Sequence, residues 1–209
     1  MDLPEGITTH NFDGDPSIAT QGPPVYGEPT DNSYRKWVPH RSKLGAMLAL
    51  EMNPSLSKGD TVLYLGAANG TTVSHIADFA GPVYAIEFAP RPMRELIDVS
   101  ETRENIIPLL KDARDPESYM HIVENEIDVI VQDVATTNQV DVARKNQVFL
   151  ANDGTLILSL KARSEDITKD PEVIFESALD SLSEDFTVET TQSLEPYHDD
   201  HLGVIAHPP

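Results

Sequence analysis

Thr61-Val62-Leu63-Tyr64-Leu65-Gly66-Ala67-Ala68-Asn69-Gly70-Thr71-Thr72 decides the fold. Its first five residues are β-branched or large and apolar, the composition of a strand buried on both faces. Gly66 ends the run, and small residues follow as far as Gly70. A helical pattern then runs from Thr71 to Phe79. Strand, small-residue loop and helix in that order form the first unit of a parallel sheet, and ligands bind beyond the carboxyl ends of such strands.

The same alternation continues downstream. Strands are expected at Pro82–Glu87, Asn105–Leu110, Ile127–Asp133 and Gly154–Lys161. Helices are expected at Pro90–Ser100, Asn138–Phe149 and Asp170–Leu182. Phe186–Thr191 and Gly203–Ala206 read as a closing antiparallel pair. Upstream, Ser42 to Met52 has apolar residues at helical spacing, stopped by Asn53-Pro54. Residues 1 to about 33 carry five prolines and four glycines, so short strands are expected there, around Ile18 and Val25-Tyr26. The division is residues 1–40, a small β-rich domain, and 41–209, a Rossmann-like α/β domain.

Composition narrows the function. The 209 residues contain 35 Asp and Glu against 15 Lys and Arg, a formal charge of −20. There is no cysteine, which excludes disulfides, thiolate metal sites and a cysteine nucleophile. No apolar run approaches the roughly 20 residues of a membrane span. The start, Met1-Asp2-Leu3-Pro4-Glu5, lacks the pattern of a signal peptide, so a cytoplasmic protein is expected. An evenly acidic chain with seven lysines suits a salt-accumulating organism. In molar salt the screening length is about 3 Å, and local patches then matter more than net charge. The densest basic stretch is Arg35, Lys36, Arg41 and Lys43, with no acidic residue among them. Its first three members are candidate contacts for RNA phosphates. Trp37, inside it, either stacks on a base or packs in the core.

Acidic residues close three successive strands: Glu87, Asp112 and Asp133. Glu87 stands 21 residues beyond Gly66, where a carboxylate accepts hydrogen bonds from both ribose hydroxyls of a nucleoside. A dinucleotide would call for G-x-G-x-x-G, whereas this loop is G-x-x-x-G, and further carboxylates repel a pyrophosphate. The set suits a cofactor with an adenosine and a positive charge, such as S-adenosylmethionine. His198-Asp199-Asp200-His201 has the residue types of a metal site but no third cluster of ligands, and no metal is expected.

The combination of Tyr34-Arg35-Lys36-Trp37, Arg41-Ser42-Lys43-Leu44, Val62 to His75, Val83 to Phe88, Asn105 to Pro108, Asp112-Ala113-Arg114, Asp133-Val134-Ala135, Leu194 to Tyr197 and Asp200-His201 resembles archaeal fibrillarin. That family is the methyltransferase of box C/D guide-RNA particles. The resemblance implies a class I S-adenosylmethionine-dependent methyltransferase fold, with a mostly parallel seven-stranded sheet and a small N-terminal β domain. It implies ribose 2′-O-methylation of rRNA, and of tRNA, directed by a guide RNA. The cofactor would be bound by Gly66, Ala67, Gly70, Thr71, Thr72, Glu87, Phe88, Asp112, Ala113, Asp133, Val134, Ala135 and Thr136. Similar 2′-O-methyltransferases use a Lys-Asp-Lys set, matched here by Lys43, Asp133 and Lys161; which lysine acts on the hydroxyl stays open. His201 would help shape the RNA face. Implied partners are the guide and target RNAs, a Nop-family scaffold protein and a kink-turn-binding protein of ribosomal type. Thr136 stands where the family usually has Gln, and His198 where it usually has Glu. A methyltransferase acting on a protein side chain and a non-catalytic scaffold of the particle are the alternatives.

Overall fold

A computed structural model describes residues 3–123 and 126–209. Met1 and Asp2 of the acidic start lie outside the described residues. The first sheet contains β1 (Thr8–Phe12), β2 (Asp15–Gln21), β3 (Thr30–Asp31) and β4 (Tyr34–Lys36), in the order β1-β2-β4-β3, all antiparallel. A 3-10 turn at Pro39–Arg41 leads into α1 (Lys43–Ala49). Then follow β5 (Val62–Leu65), α2 (Thr71–Ala77), β6 (Val83–Glu87), α3 (Pro90–Ser100), β7 (Ile106–Leu110) and β8 (Ile127–Gln132). The chain ends with α4 (Gln139–Asn146), β9 (Leu150–Lys161), α5 (Ala162–Glu165), α6 (Pro171–Leu182), β10 (Thr187–Ser193) and β11 (His201–His207).

The second sheet runs β10-β11-β9-β8-β5-β6-β7. Its five inner-to-edge strands β9, β8, β5, β6 and β7 pair in parallel, and β11 and β10 join antiparallel to their neighbours. Strand order reverses between β5 and β8, which opens a crevice at their carboxyl ends. Both faces of β5 are covered. Val62 and Tyr64 join one apolar core with Met47, Ile76 and Leu96, and Leu63 and Leu65 join the other with Val142, Phe149 and Leu182.

Three local expectations are corrected. Val25-Tyr26 is a turn, because both backbone N–H groups donate to the Glu28 carboxylate, at 2.9 and 2.8 Å. The first helix stops at Ala49 rather than Met52. Glu51 enters the left-handed region at φ 64°, and its N–H and that of Met52 donate to Leu48 and Met47, closing a Schellman turn. The fifth parallel strand starts at Leu150, before Gly154, across an irregularity in its pairing with β8.

A buried charge cluster joins the two sheets. Asp78, just past α2, accepts from Arg35 Nε at 2.7 Å, from Arg103 Nε at 3.1 Å and from the Thr20 hydroxyl at 2.6 Å. Arg35 also donates to Glu28 at 2.6 Å and to Ser74 at 3.0 Å. Two guanidiniums thus face two carboxylates, and the charges balance inside the protein.

The only proton of the Thr20 hydroxyl goes to Asp78, so His75, 2.8 Å away, must donate to Thr20 through Nδ1. Its ring stacks on Trp37 at 4.7 Å. Burial, helped by the cations of Arg35 and Arg103, holds His75 well below the usual histidine range. The unfolded chain protonates this ring near pH 6.5, while the folded chain keeps it neutral. Its contribution to stability is therefore complete above that pH and is lost as pH falls, since the unfolded state then binds the extra proton. In urea unfolding from about pH 7 to pH 5, His75→Phe will lose stability less steeply than the wild type. Parallel slopes would assign the acid sensitivity to other groups.

Candidate active site at the carboxyl edge of the sheet

A cavity of about 490 Å³ lies at the strand ends, within the usual range for small-molecule sites. Gly66 shapes its floor. Its φ is +85°, and a Cβ there would lie 2.4 Å from the Asp133 carbonyl, so β5 and β8 can close together only with glycine. Glu87, at the end of β6, is buried with its carboxylate oriented by the backbone N–H groups of Ala68 at 2.9 Å and Ala89 at 2.7 Å. Phe88 follows, 68% exposed as a residue, at the cavity wall. Asp112 is gripped by the Arg114 guanidinium, which holds its carboxyl below the usual carboxylate range.

Ser42 positions the first lysine. Its hydroxyl accepts from Gly45 N at 3.0 Å, capping α1, and from Trp37 Nε1 at 2.9 Å, and shares a hydrogen bond with Thr72. Lys43, the first residue of α1, then reaches Asp133 at 3.1 Å. Lys161, the last residue of β9, lines the same cavity. The three residues expected to act together therefore line one cavity, brought from positions far apart in the chain.

Of the expected cofactor residues, Gly66, Glu87, Phe88, Asp112, Ala113, Asp133, Val134, Ala135 and Thr136 line the cavity. Ala67, Gly70, Thr71 and Thr72 do not. They build the turn and the first part of α2, with Gly70 at φ +86° against Leu96. Ala68, Ile86, Lys111, Arg114 and Val142 also line it and were not expected. Lys111 and Arg114 adjoin Asp112, so their proximity in sequence was the available signal.

The basic stretch does not form one patch. Arg35 is corrected: it is fully buried in the charge cluster and cannot touch RNA. Trp37 is core, 1% exposed. Lys36 pairs with Asp15 at 2.6 Å. Arg41 is exposed and donates to the Tyr26 carbonyl at 3.1 Å. His201 pairs in register with Lys161 across β11 and β9, at the cavity's rim. His198 donates from Nε2 to the Pro39 carbonyl at 2.9 Å. Burial, with Lys43 nearby, holds both imidazoles below the usual histidine range. Among the described residues no group of three or more His, Asp or Glu is placed to hold a metal.

The fibrillarin family model matches residues 12–208. The chain belongs to the fibrillarin family. A fibrillarin-like rRNA/tRNA 2′-O-methyltransferase of Haloarcula marismortui is 60% identical over 208 residues, 100% of this chain and 99% of that one. The fibrillarin of a solved fibrillarin/Nop5p complex superposes with a TM-score of 0.93 at 39% identity, covering 100% of both chains. Aeropyrum pernix fibrillarin, solved with natively bound S-adenosyl-L-methionine, gives 0.87 at 38% identity, covering 99% of this chain and 96% of that one. The fold is thus the class I methyltransferase fold of fibrillarin with its additional small sheet. The haloarchaeal relative agrees with the salt-adapted composition.

Proposed function

We propose that this chain is an S-adenosylmethionine-dependent ribose 2′-O-methyltransferase for rRNA and tRNA, working in a box C/D guide-RNA particle. The observation that carries the chemistry is the Lys43–Asp133 pair, 3.1 Å apart on the wall of a cofactor-sized cavity that Lys161 also lines. Bound there, S-adenosylmethionine supplies an electrophilic methyl group on a sulfonium. The residues present fit it: Glu87, already oriented by two amides, for the ribose hydroxyls; Phe88 for the adenine; Asp112, Ala113 and the Asp133–Thr136 loop for the remainder.

A ribose 2′-hydroxyl is a weak nucleophile and must shed its proton as it attacks. The Lys43 ammonium fixes the Asp133 carboxylate before the substrate arrives, so no reorganisation is needed at the moment of reaction. Asp133 orients the hydroxyl, and the proton passes to a group of the Lys43–Asp133–Lys161 set. Lys43, Lys111, Arg114 and Lys161 set four cations against three carboxylates in the cavity lining of an acidic protein. They offer RNA phosphates a local attraction that the net charge opposes only weakly in high salt. Arg41, which is exposed, and His201, in register with Lys161, are further candidate RNA contacts. A non-catalytic scaffold would have no use for the preset ion pair.

The particle would supply sequence selection by base pairing of guide to target. A Nop-family protein would hold the enzyme to it, joined by a kink-turn-binding protein. No helix among the described residues is long and apolar enough to cross a membrane, and work in the cytoplasm is part of the proposal. The test is to change the guide sequence in the reconstituted particle and map ribose 2′-O-methylation. The mark should move to the newly paired nucleotide. A mark that stays in place, or methyl label on protein alone, would overturn the reading.

A further inference from the structure

The end of β9 meets a structural problem. Its pairing with β8 stops at Gln132, opposite Leu158, three residues before Lys161. On the side away from β11, the N–H and C=O of Lys161 therefore have no strand beside them. The side-chain amide of Gln139 takes that place: its Oε1 accepts from Lys161 N at 2.9 Å and its Nε2 donates to Lys161 O at 3.0 Å. One amide thus reproduces both bonds of a neighbouring strand.

Gln139 is itself held firmly. It is fully buried, and its Nε2 also donates to Glu165 at 3.0 Å. The same carboxylate accepts from the backbone N–H groups of Asn138 and Gln139, at 2.8 and 2.7 Å, at the start of α4. The Gln139 carbonyl accepts from Gln132 Nε2 at 2.8 Å, and Gln132 immediately precedes Asp133. A single knot thus ties the strand end carrying Asp133 to the strand end carrying Lys161. Asp133 has Lys43 as its ion-pair partner, whereas Lys161 has none among the described residues. The location of the Lys161 ammonium consequently depends on where its backbone is anchored.

We propose that Gln139 is a positioning residue that sets Lys161 against Asp133 for methyl transfer, with Glu165 locking Gln139. This rests on the assignment of Lys161 to the reacting set. The relevant comparison is the single-turnover rate of the particle assembled with wild-type chain, Gln139→Met, Lys161→Ala, and the double variant. Met keeps the length and the burial but removes the two bonds to Lys161. Gln139→Met should slow methyl transfer about 10- to 100-fold, a range expected when a reacting group is misplaced. The affinity of the free chain for S-adenosylmethionine should change less than about 3-fold, since Gln139 does not line the cavity. In the Lys161→Ala background the Gln139 substitution should have no further effect.

A merely structural role would give additive losses and would lower cofactor affinity in step with the rate, and either result overturns the proposal. Unimpaired Lys161→Ala would instead refute the assignment of Lys161. An impaired Lys161→Ala beside a normal Gln139→Met would refute the positioning role alone. Should Gln139→Met not accumulate as folded protein, Glu165→Gln loosens the knot from its half-exposed side. It should slow transfer about 3- to 10-fold, again only when Lys161 is present, and an unchanged rate would overturn the proposal.

Discussion

Asp133→Ala will erase ribose methylation at guide-complementary positions while the protein remains folded and abundant. Asp133 fixes Lys43 at 3.1 Å and lines the cavity where the proposed reaction places the hydroxyl. Losing a positioned group for proton transfer slows a reaction about 10²–10⁴-fold, and here the orientation of Lys43 is lost with it. Asp133→Asn is the sharper variant, since it keeps the shape and a hydrogen-bonding oxygen but removes the charge. Methylation mapped on rRNA and tRNA from cells carrying each replacement, with protein levels compared, checks this. An intact map with normal protein levels would remove Asp133 from the chemistry. Partial methylation with Asn and none with Ala would separate orientation from charge.

Asp78→Ala will cost about 3–5 kcal/mol of folding stability, the usual penalty for breaking a buried ion pair from one side. Asp78 is the shared partner of Arg35 and Arg103, all three nearly inaccessible to solvent, and its loss leaves two guanidiniums with Glu28 as the one remaining carboxylate of the cluster. Salt discriminates between explanations. Exposed pairs such as Lys145–Asp141 are screened away at molar salt, while a buried cluster is not. The loss measured by denaturant unfolding should therefore be nearly equal in low and in molar potassium chloride. A penalty that disappears in high salt would show that the cluster is wetter than its burial implies. Asp78→Leu is the companion, because an apolar replacement leaves the same excess of buried positive charge, two guanidiniums against Glu28 alone, and should not rescue stability.

The central sheet was legible because a parallel strand buried on both faces must be apolar along its whole length, as in Val62–Leu65 and Leu156–Leu158. Glu87 and Asp133 were legible for the complementary reason: a carboxylate directly after such a strand has to emerge at the ligand-binding edge. Arg35 was not. Its neighbours in sequence are basic, and the partners that draw it inside, Glu28 and Asp78, are 7 and 43 residues away. Gln139 was equally hidden. A glutamine at the start of a helix reads as a solvated side chain, and the backbone it serves is 22 residues downstream. Distance in sequence, rather than weakness of the interaction, is what concealed both.

The contact between Gly45 and Trp37 bears on how such a protein can change over time. A Cβ on Gly45 would fall 2.8 Å from the indole, so α1 rests directly on a ring supplied by the segment just past β4. The same indole donates to the serine that caps α1, one residue before Lys43. The small sheet and the placement of Lys43 are consequently inherited as one unit. An appendage that merely decorated the enzyme would be free to drift, to be traded for another or to be discarded. This one carries the bearing on which Lys43 is mounted, and a substitution on its inner face is felt in the larger sheet's cavity as a displacement of that lysine.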